Sequence, residues 1–191
     1  MFYALFLVYG KLQIELFKKS QMKINVRFAE KEDLEDILAI LNYEIVNSIA
    51  IYDYNAKTIK DMLEWFEEKQ EKGMPLIVAE LDKKVVGYGT FGDFRHKIGY
   101  RYTVEHSVYI AQNYRRRGIG KLVLSELIQI AKKDGYHMMI AGLDGANKES
   151  FEFHKKHGFI EVGTFKEVGF KFDQWLDVTF MQLNLTEVQL D

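Results

Sequence analysis

A chain of 191 residues is long enough for one domain, and burying about 70% of its unfolded surface lets its core hold without a disulfide or metal staple. It contains no cysteine, which excludes a disulfide framework, a Cys-ligated zinc, an iron–sulfur cluster and a catalytic protein thiolate, and which fits a reducing cytoplasm. Lys plus Arg total 26 against 28 for Asp plus Glu, a formal net charge of −2, so the chain lacks the basic excess of a nucleic-acid binder.

The first feature along the chain is an apolar run, Phe2 to Val8 (FYALFLV). No basic region precedes it, no small-residue cleavage site follows it, and it is far shorter than the roughly 20 residues of a membrane span. Met22 opens MKINVRFAE, which reads as a natural first strand. Residues 1–21 are therefore read as an upstream extension or a misassigned start, with a partner-binding or membrane-surface helix as the alternative. Residues 22–191 read as a single unit without linker, repeat or low-complexity segment.

Within that unit Ile24 to Ala29 alternates as a strand. Leu34, Ile37, Leu38 and Leu41 recur at helical spacing behind acidic first-turn residues, which predicts an amphipathic helix. Thr58 to Gln70 is a second helix with Thr58 as N-cap and Gly73 plus Pro75 as its stop, and Trp65 and Phe66 pack it into the core. Pro75 to Glu80 and Val85 to Phe91 are strands joined as a hairpin, and Tyr100 to Ile110 is a long β-branched and aromatic strand. Gly118 to Lys133 is a helix ended by Gly135, His137 to Leu143 a buried strand, and Lys148 to His157 a short helix. FIEVGTF and LDVTFMQL are the closing strands. The order β, α, α, β, β, β, α, β, α, β, β predicts an α+β domain, a mixed sheet with helices on its faces.

Between the long strand and the third helix stands Arg115-Arg116-Arg117-Gly118-Ile119-Gly120-Lys121. Glycines there let backbone approach a ligand, first-turn amides lack acceptors, and the helix N-terminus adds positive potential, so the segment suits a phosphate group. Neither a P-loop nor a full dinucleotide fingerprint is present. Taken alone, the segment is equally a solvated basic turn capped by glycine. Two histidines at i, i+3, His154 and His157, have no carboxylate cluster beside them to complete a metal site, so no metal is expected.

The combination of Arg115-x-x-Gly118-x-Gly120 after a strand with the later Asn147 and Gly158-Phe159 resembles the coenzyme A motif of the GNAT superfamily of N-acetyltransferases. GDFR, YRYTVEHSVYI and KFDQWLDVTFMQ resemble its phosphinothricin and methionine sulfone or sulfoximine acetyltransferase family. The resemblance implies the GNAT acyltransferase fold, a mostly antiparallel sheet of about seven strands with helices on both faces. It further implies acetyl-CoA as cosubstrate, the backbone of Val108, Tyr109 and Ile110 paired with the pantetheine arm, and the pyrophosphate on Arg115, Arg116, Arg117, Gly118, Ile119, Gly120 and Lys121. Asn147 and Lys156 complete the implied cofactor site. Core packing explains the Val108 and Ile110 side chains as well.

Glu105, in an apolar strand, is the candidate base, acting directly or through water, since burial would raise its pKa toward the working range. Its alternative is an outward-facing strand glutamate. His154 stands where many superfamily members carry a tyrosine general acid; it donates a proton or only hydrogen-bonds sulfur, and coenzyme A can also leave as the thiolate unaided. Arg95 and Arg101 are the candidate carboxylate binders, with Tyr100, Thr103 and Glu105 beside them and Tyr52 as an aromatic wall. Surface salt bridging is the alternative for each arginine. The expected protein is a cytoplasmic enzyme, not membrane-bound and not acting on nucleic acid. It acetylates the amino group of a small amino-acid-like substrate by direct transfer, and the resemblance implies a homodimer that uses Lys171 to Gln182. Acetylation of a protein N-terminus or polyamine, and a non-catalytic acetyl-CoA-sensing module, are the alternatives.

Overall fold

The computed structural model describes residues 24–186, and the apolar run Phe2 to Val8 with the rest of 1–21 lies outside the described residues. The elements in chain order are β1 (Asn25–Phe28), α1 (Leu34–Asn47), α2 (Ile59–Glu71), β2 (Leu76–Leu81), β3 (Lys84–Asp93), β4 (Thr103–Ile110), α3 (Ile119–Lys133), β5 (Met138–Asp144), α4 (Lys148–Lys155), β6 (Ile160–Lys171) and β7 (Gln174–Asn184). Helix α2 begins at a capping box in which the Thr58 side chain accepts from the Asp61 amide while the Asp61 carboxylate accepts from the Thr58 amide, satisfying donors that a helix start leaves open. Asp82 and Lys83, both at positive φ, form the tight turn that joins β2 to β3 with the twist a hairpin requires.

Seven strands form one sheet in the order β1-β2-β3-β4-β5-β7-β6. Every neighbouring pair is antiparallel except β4 and β5, so the sheet is mixed and mostly antiparallel, as expected. One face carries α3, whose Ile119, Val123, Leu127 and Ala131 are buried with Val104, Met139 and Phe159. Each of the larger of these side chains contributes about 1.5–3 kcal/mol of burial. The other face carries α1 and α2, with Leu34, Ile37, Met62 and Phe66 against Val78 and Tyr88. Trp65 packs against this second cluster at its edge. Among the described residues no helix is long and apolar enough to cross a membrane.

Two boundaries differ from the sequence reading. The strand expected from Tyr100 begins at Thr103, because Ile98–Tyr100 close into a 3-10 turn in which the Tyr100 and Arg101 amides donate to the Lys97 and Ile98 carbonyls at 2.9 and 3.2 Å. The closing strands are longer than expected and meet at the Phe172-Asp173 turn, where both residues take positive φ.

The feature that organises the site is a fork. The parallel pairing of β4 with β5 runs through Thr103–Met138, Val104–Met139 and Glu105–Ile140 and stops there. Beyond it β4 continues on β3 as far as Ile110–Gly87, while β5 continues on β7 as far as Asp144–Val178. Among the described residues, no strand pairs with the β5-facing edge of β4 from His106 to Ile110, in the middle of an otherwise continuous sheet.

Candidate active site

Glu105 is the last β4 residue paired before the fork. Strand alternation puts Val104 in the α3-side core and Glu105 on the opposite face. A side-chain carbon added at Gly142 of β5 would stand 3.0 Å from Glu105 Oε1 and 3.5 Å from the Phe180 ring, so the carboxyl lies directly over the bare backbone of Gly142. Gly142 is exposed although Ala141 and Leu143 on either side of it are buried, which marks open space above this part of the sheet. Burial raises the Glu105 pKa above the ordinary carboxylate value, and the positive charge of Arg95 pulls it back down. The group can therefore hold a proton nearer neutrality than a surface glutamate does.

On the cofactor side, the unpaired β4 edge leads through a short 3-10 turn, Gln112–Tyr114, into the glycine turn. Gly118 is the N-cap of α3 at φ 80°, ψ 0°, a left-handed conformation that glycine adopts without steric cost. The first amides of α3 have no intrahelical acceptor, and among the described residues no side chain caps them. Such an extended free edge ending at an open helix N-terminus matches a ligand with a strand-like arm and an anionic group at its end. Val108 and Ile110 pack their side chains against the α3-side core, which leaves their main chain at the free edge.

The three arginines are placed differently from one another. Arg115 turns back from the turn: its Nη2 donates to the buried Glu44 carboxylate on α1 and its Nε to the Ile110 carbonyl at 3.0 Å. Arg116, at positive φ, pairs on the surface with Glu149 at 3.0 Å. Arg117 donates to the Asn113 carbonyl at 2.9 Å and lies over the Tyr114 ring. Asn147 caps α4 by accepting from the Ser150 amide at 2.9 Å. Lys156 is at the opposite end of α4, exposed beside a cavity it shares with Ser125, Lys132 and His157.

His154 lies on the α3 and α4 face in an aromatic cluster with His106, Phe153 and Phe159. Its Nδ1 is 2.7 Å from the Ser150 carbonyl. A carbonyl only accepts, so this nitrogen carries the proton and Nε2 is the bare lone pair. Nε2 is buried without a partner among the described residues, and burial lowers the His154 pKa. His106, buried beside it, is pushed down to about 3 by burial and then by its histidine neighbours.

Of the two arginines expected to bind a carboxylate, Arg95 is the one whose charge reaches Glu105. Arg101 lies over the Tyr102 ring and donates to the Ile98 carbonyl at 3.4 Å. Tyr100 packs edge-on against Phe94 in the same loop, and Thr103 opens β4 opposite Met138. Tyr52 sits across the sheet from these groups, its ring over Gly169 of β6 and its hydroxyl buried without a partner among the described residues. Sequence reasoning missed Glu44, Gly142 and Lys171. Glu44 carried a signal: it falls on the buried stripe of α1 with Leu34, Ile37, Ile40 and Ile45, where an ionised side chain requires a partner.

Comparison with known proteins supplies the last observation. Residues 39–159 match the acetyltransferase (GNAT) family. The chain is 40% identical over 164 residues to the L-methionine sulfoximine/L-methionine sulfone acetyltransferase of Salmonella typhimurium, covering 86% of this chain and 96% of that one. It is similar to the crystal structure of an N-acetyltransferase from Staphylococcus aureus Mu50, with 43% identity, a TM-score of 0.85, and coverage of 86% and 99% of the two chains. It is also similar to a GNAT superfamily phosphinothricin acetyltransferase from Sinorhizobium meliloti solved with acetyl-CoA, with 34% identity, a TM-score of 0.84, and coverage of 89% and 92%.

Proposed function

This chain belongs to the acetyltransferase (GNAT) family, and from that premise we propose that it transfers acetyl directly from acetyl-CoA to the α-amino group of a small amino-acid-like acceptor. The acceptor class is that of methionine sulfone, methionine sulfoximine and phosphinothricin, the substrates named for its relatives. The observation that carries the reading is the fork at Glu105. It sets a half-buried carboxyl of raised pKa at the junction between a free strand edge and an open surface on the sheet's other face.

Acetyl-CoA, when bound, supplies the activated thioester carbonyl. The main chain of Val108, Tyr109 and Ile110 takes the pantetheine arm as an added strand, and the amides from Arg116 to Lys121 hold the pyrophosphate, with Asn147 and Lys156 further along the cofactor. Arg115 supports this turn through Glu44. Glu105, directly or through a water, accepts the proton of the acceptor ammonium. The freed lone pair attacks the thioester carbon, the new C–N bond forms, the nitrogen gives up its second excess proton to water, and the C–S bond breaks with its electron pair going to sulfur. With its proton committed at Nδ1, His154 contributes by orientation, and coenzyme A leaves as the thiolate. Arg95 holds the acceptor carboxylate beside Glu105, with Tyr100, Arg101 and Thr103 along the same loop and Tyr52 as the opposite wall.

The enzyme works in the cytoplasm as a homodimer. Ile160, Val162, Phe165, Val168, Phe172 and Trp175 are all more than half exposed on the last hairpin, an apolar surface of the kind that a second copy covers.

Two measurements test this reading. Thiol release from acetyl-CoA is expected with methionine sulfone, methionine sulfoximine or phosphinothricin and not with polyamines or short peptides. Silence across the whole panel overturns it, as does a sedimentation mass of a single chain for the dimer. Gly118→Val probes the cofactor turn independently. A β-branched residue at φ 80° costs about 1–2 kcal/mol and distorts the turn, so titration calorimetry should read acetyl-CoA binding weakened by about tenfold. An unchanged affinity contradicts the assignment of the turn.

A further inference from the structure

Lys171 is one of the most enclosed side chains of the molecule, 1% exposed, although it is near the tip of the last hairpin. Its Nζ donates to the carbonyls of Ile45 at 2.7 Å, Ser48 at 2.8 Å and Ile51 at 2.5 Å. An ammonium has three donors, and here each meets a main-chain acceptor. Ile45 belongs to the last turn of α1 and Ser48 is its C-cap. The charge therefore stands at the negative end of the helix, where carbonyls lack intrahelical partners, and the third bond reaches past the helix into the following loop.

The two residues before Lys171 grip the same loop. At Gly169 any side-chain carbon would overlap the Tyr52 ring, so that ring lies on bare β6 backbone. The Phe170 carbonyl accepts from the Tyr54 hydroxyl. Three consecutive residues of β6 thus hold the end of α1 and the segment 48–54. On its other side, the same end of α1 is tied to the cofactor turn, since Glu44 accepts from Arg115 and from Ser48 Oγ at 2.9 Å.

The segment lies on the α1 side of the sheet, the side toward which Glu105 points. In the strand order β4-β5-β7-β6 three strand spacings, about 14 Å, separate β4 from β6, and Gly169 lies about 20 Å further along the strands than Glu105, since the ladder through Glu105 meets β7 at Gln182 and Gly169 meets it at Leu176. Between them is the exposed ground of Gly142, with Asp144 and Phe180 beside it. The Tyr52 hydroxyl has no partner among the described residues and feels Asp144 and Asp177, the acids at the far end of that ground.

We propose that Lys171 is a positioning residue for the acceptor site: its ammonium fixes segment 48–54 so that the Tyr52 ring forms the far wall of the acceptor cleft. This rests on the acceptor reading given above. It adds a residue that touches neither substrate and acts only through main-chain carbonyls.

The test is Lys171→Met in the full-length enzyme, with steady-state kinetics on L-methionine sulfone and acetyl-CoA and hydrogen exchange on the same protein. The KM for methionine sulfone is expected to rise by about tenfold or more, with the KM for acetyl-CoA unchanged. Amides of residues 48–54 should exchange faster while those of α3 do not. Gly169→Ala displaces the Tyr52 ring without touching the ammonium, and it should give the same KM split if Lys171→Met fails to fold. An acceptor KM unmoved in both variants overturns the proposal. So do acceptor and acetyl-CoA KM values rising together, or exchange of 48–54 left as in the parent. If the parent enzyme itself does not acetylate methionine sulfone, the acceptor reading fails, and the exchange experiment still decides whether Lys171 holds the segment.

Discussion

Glu105→Gln lowers kcat by about a hundredfold to ten-thousandfold, the span of a general base, and leaves acetyl-CoA affinity as it was. The amide keeps the size and much of the hydrogen bonding of the carboxyl over Gly142 but cannot accept the amine proton at any accessible pH. The pH profile separates this cause from a packing fault. Glu105 works ionised, and burial raises its pKa, so the acid limb of kcat/KM for the parent enzyme falls as pH drops through a midpoint above that of an ordinary glutamate. The limb disappears in Glu105→Gln. Stability moves in the opposite direction from activity. A carboxylate with a raised folded-state pKa disfavours the folded state at pH above its unfolded value, because the unfolded chain ionises it more easily. Removing the charge therefore leaves the thermal midpoint at neutral pH unchanged or higher. A kcat within a few-fold of the parent removes Glu105 as base, and a fall in the midpoint assigns the loss to damaged packing.

The residues that carry local rules were legible in the sequence, and those that depend on tertiary pairing were not. The α2 start at Thr58, the hairpin between β2 and β3 and the helix that follows the glycine turn come from capping, turn chemistry and periodicity, and each stands where it was read. The glycine turn before α3 was visible because glycine spacing next to an arginine cluster leaves a sequence trace. The fork left none. Periodicity identifies β4 and β5 as strands, but where they part is set by the registers each keeps with its other neighbour, β3 and β7. Arg115 shows the same limit: its charge suggested a phosphate contact, and only the fold brings Glu44 to its guanidinium. Lys171 follows Phe170 in a strand whose residues are mostly exposed. Nothing local distinguishes a lysine turned inward toward a helix end from one turned outward to water.

Gly142→Val gives the other large effect, and its sign for stability is opposite to its sign for activity. Glycine in a strand costs backbone entropy, and valine is among the better strand formers. Position 142 pairs regularly with Phe180, has no positive φ and is exposed, so the fold accepts the side chain and the thermal midpoint holds or rises. The active site does not accept it. The first added carbon already stands 3.0 Å from Glu105 Oε1, which obliges the carboxylate to move, and the two further methyl groups of valine enter the open space where the acceptor amine must approach. A displacement of about 1 Å at a reacting group costs on the order of a hundredfold in rate, so kcat/KM for the acceptor falls by at least that factor while the acetyl-CoA dissociation constant is unchanged. Gly142→Ala, with one carbon, should fall between the parent and Gly142→Val. A variant that keeps full activity shows that the amine does not approach over β5. One that loses activity together with its thermal midpoint shows that Gly142 serves the packing of β5 on β7 and not the placement of Glu105.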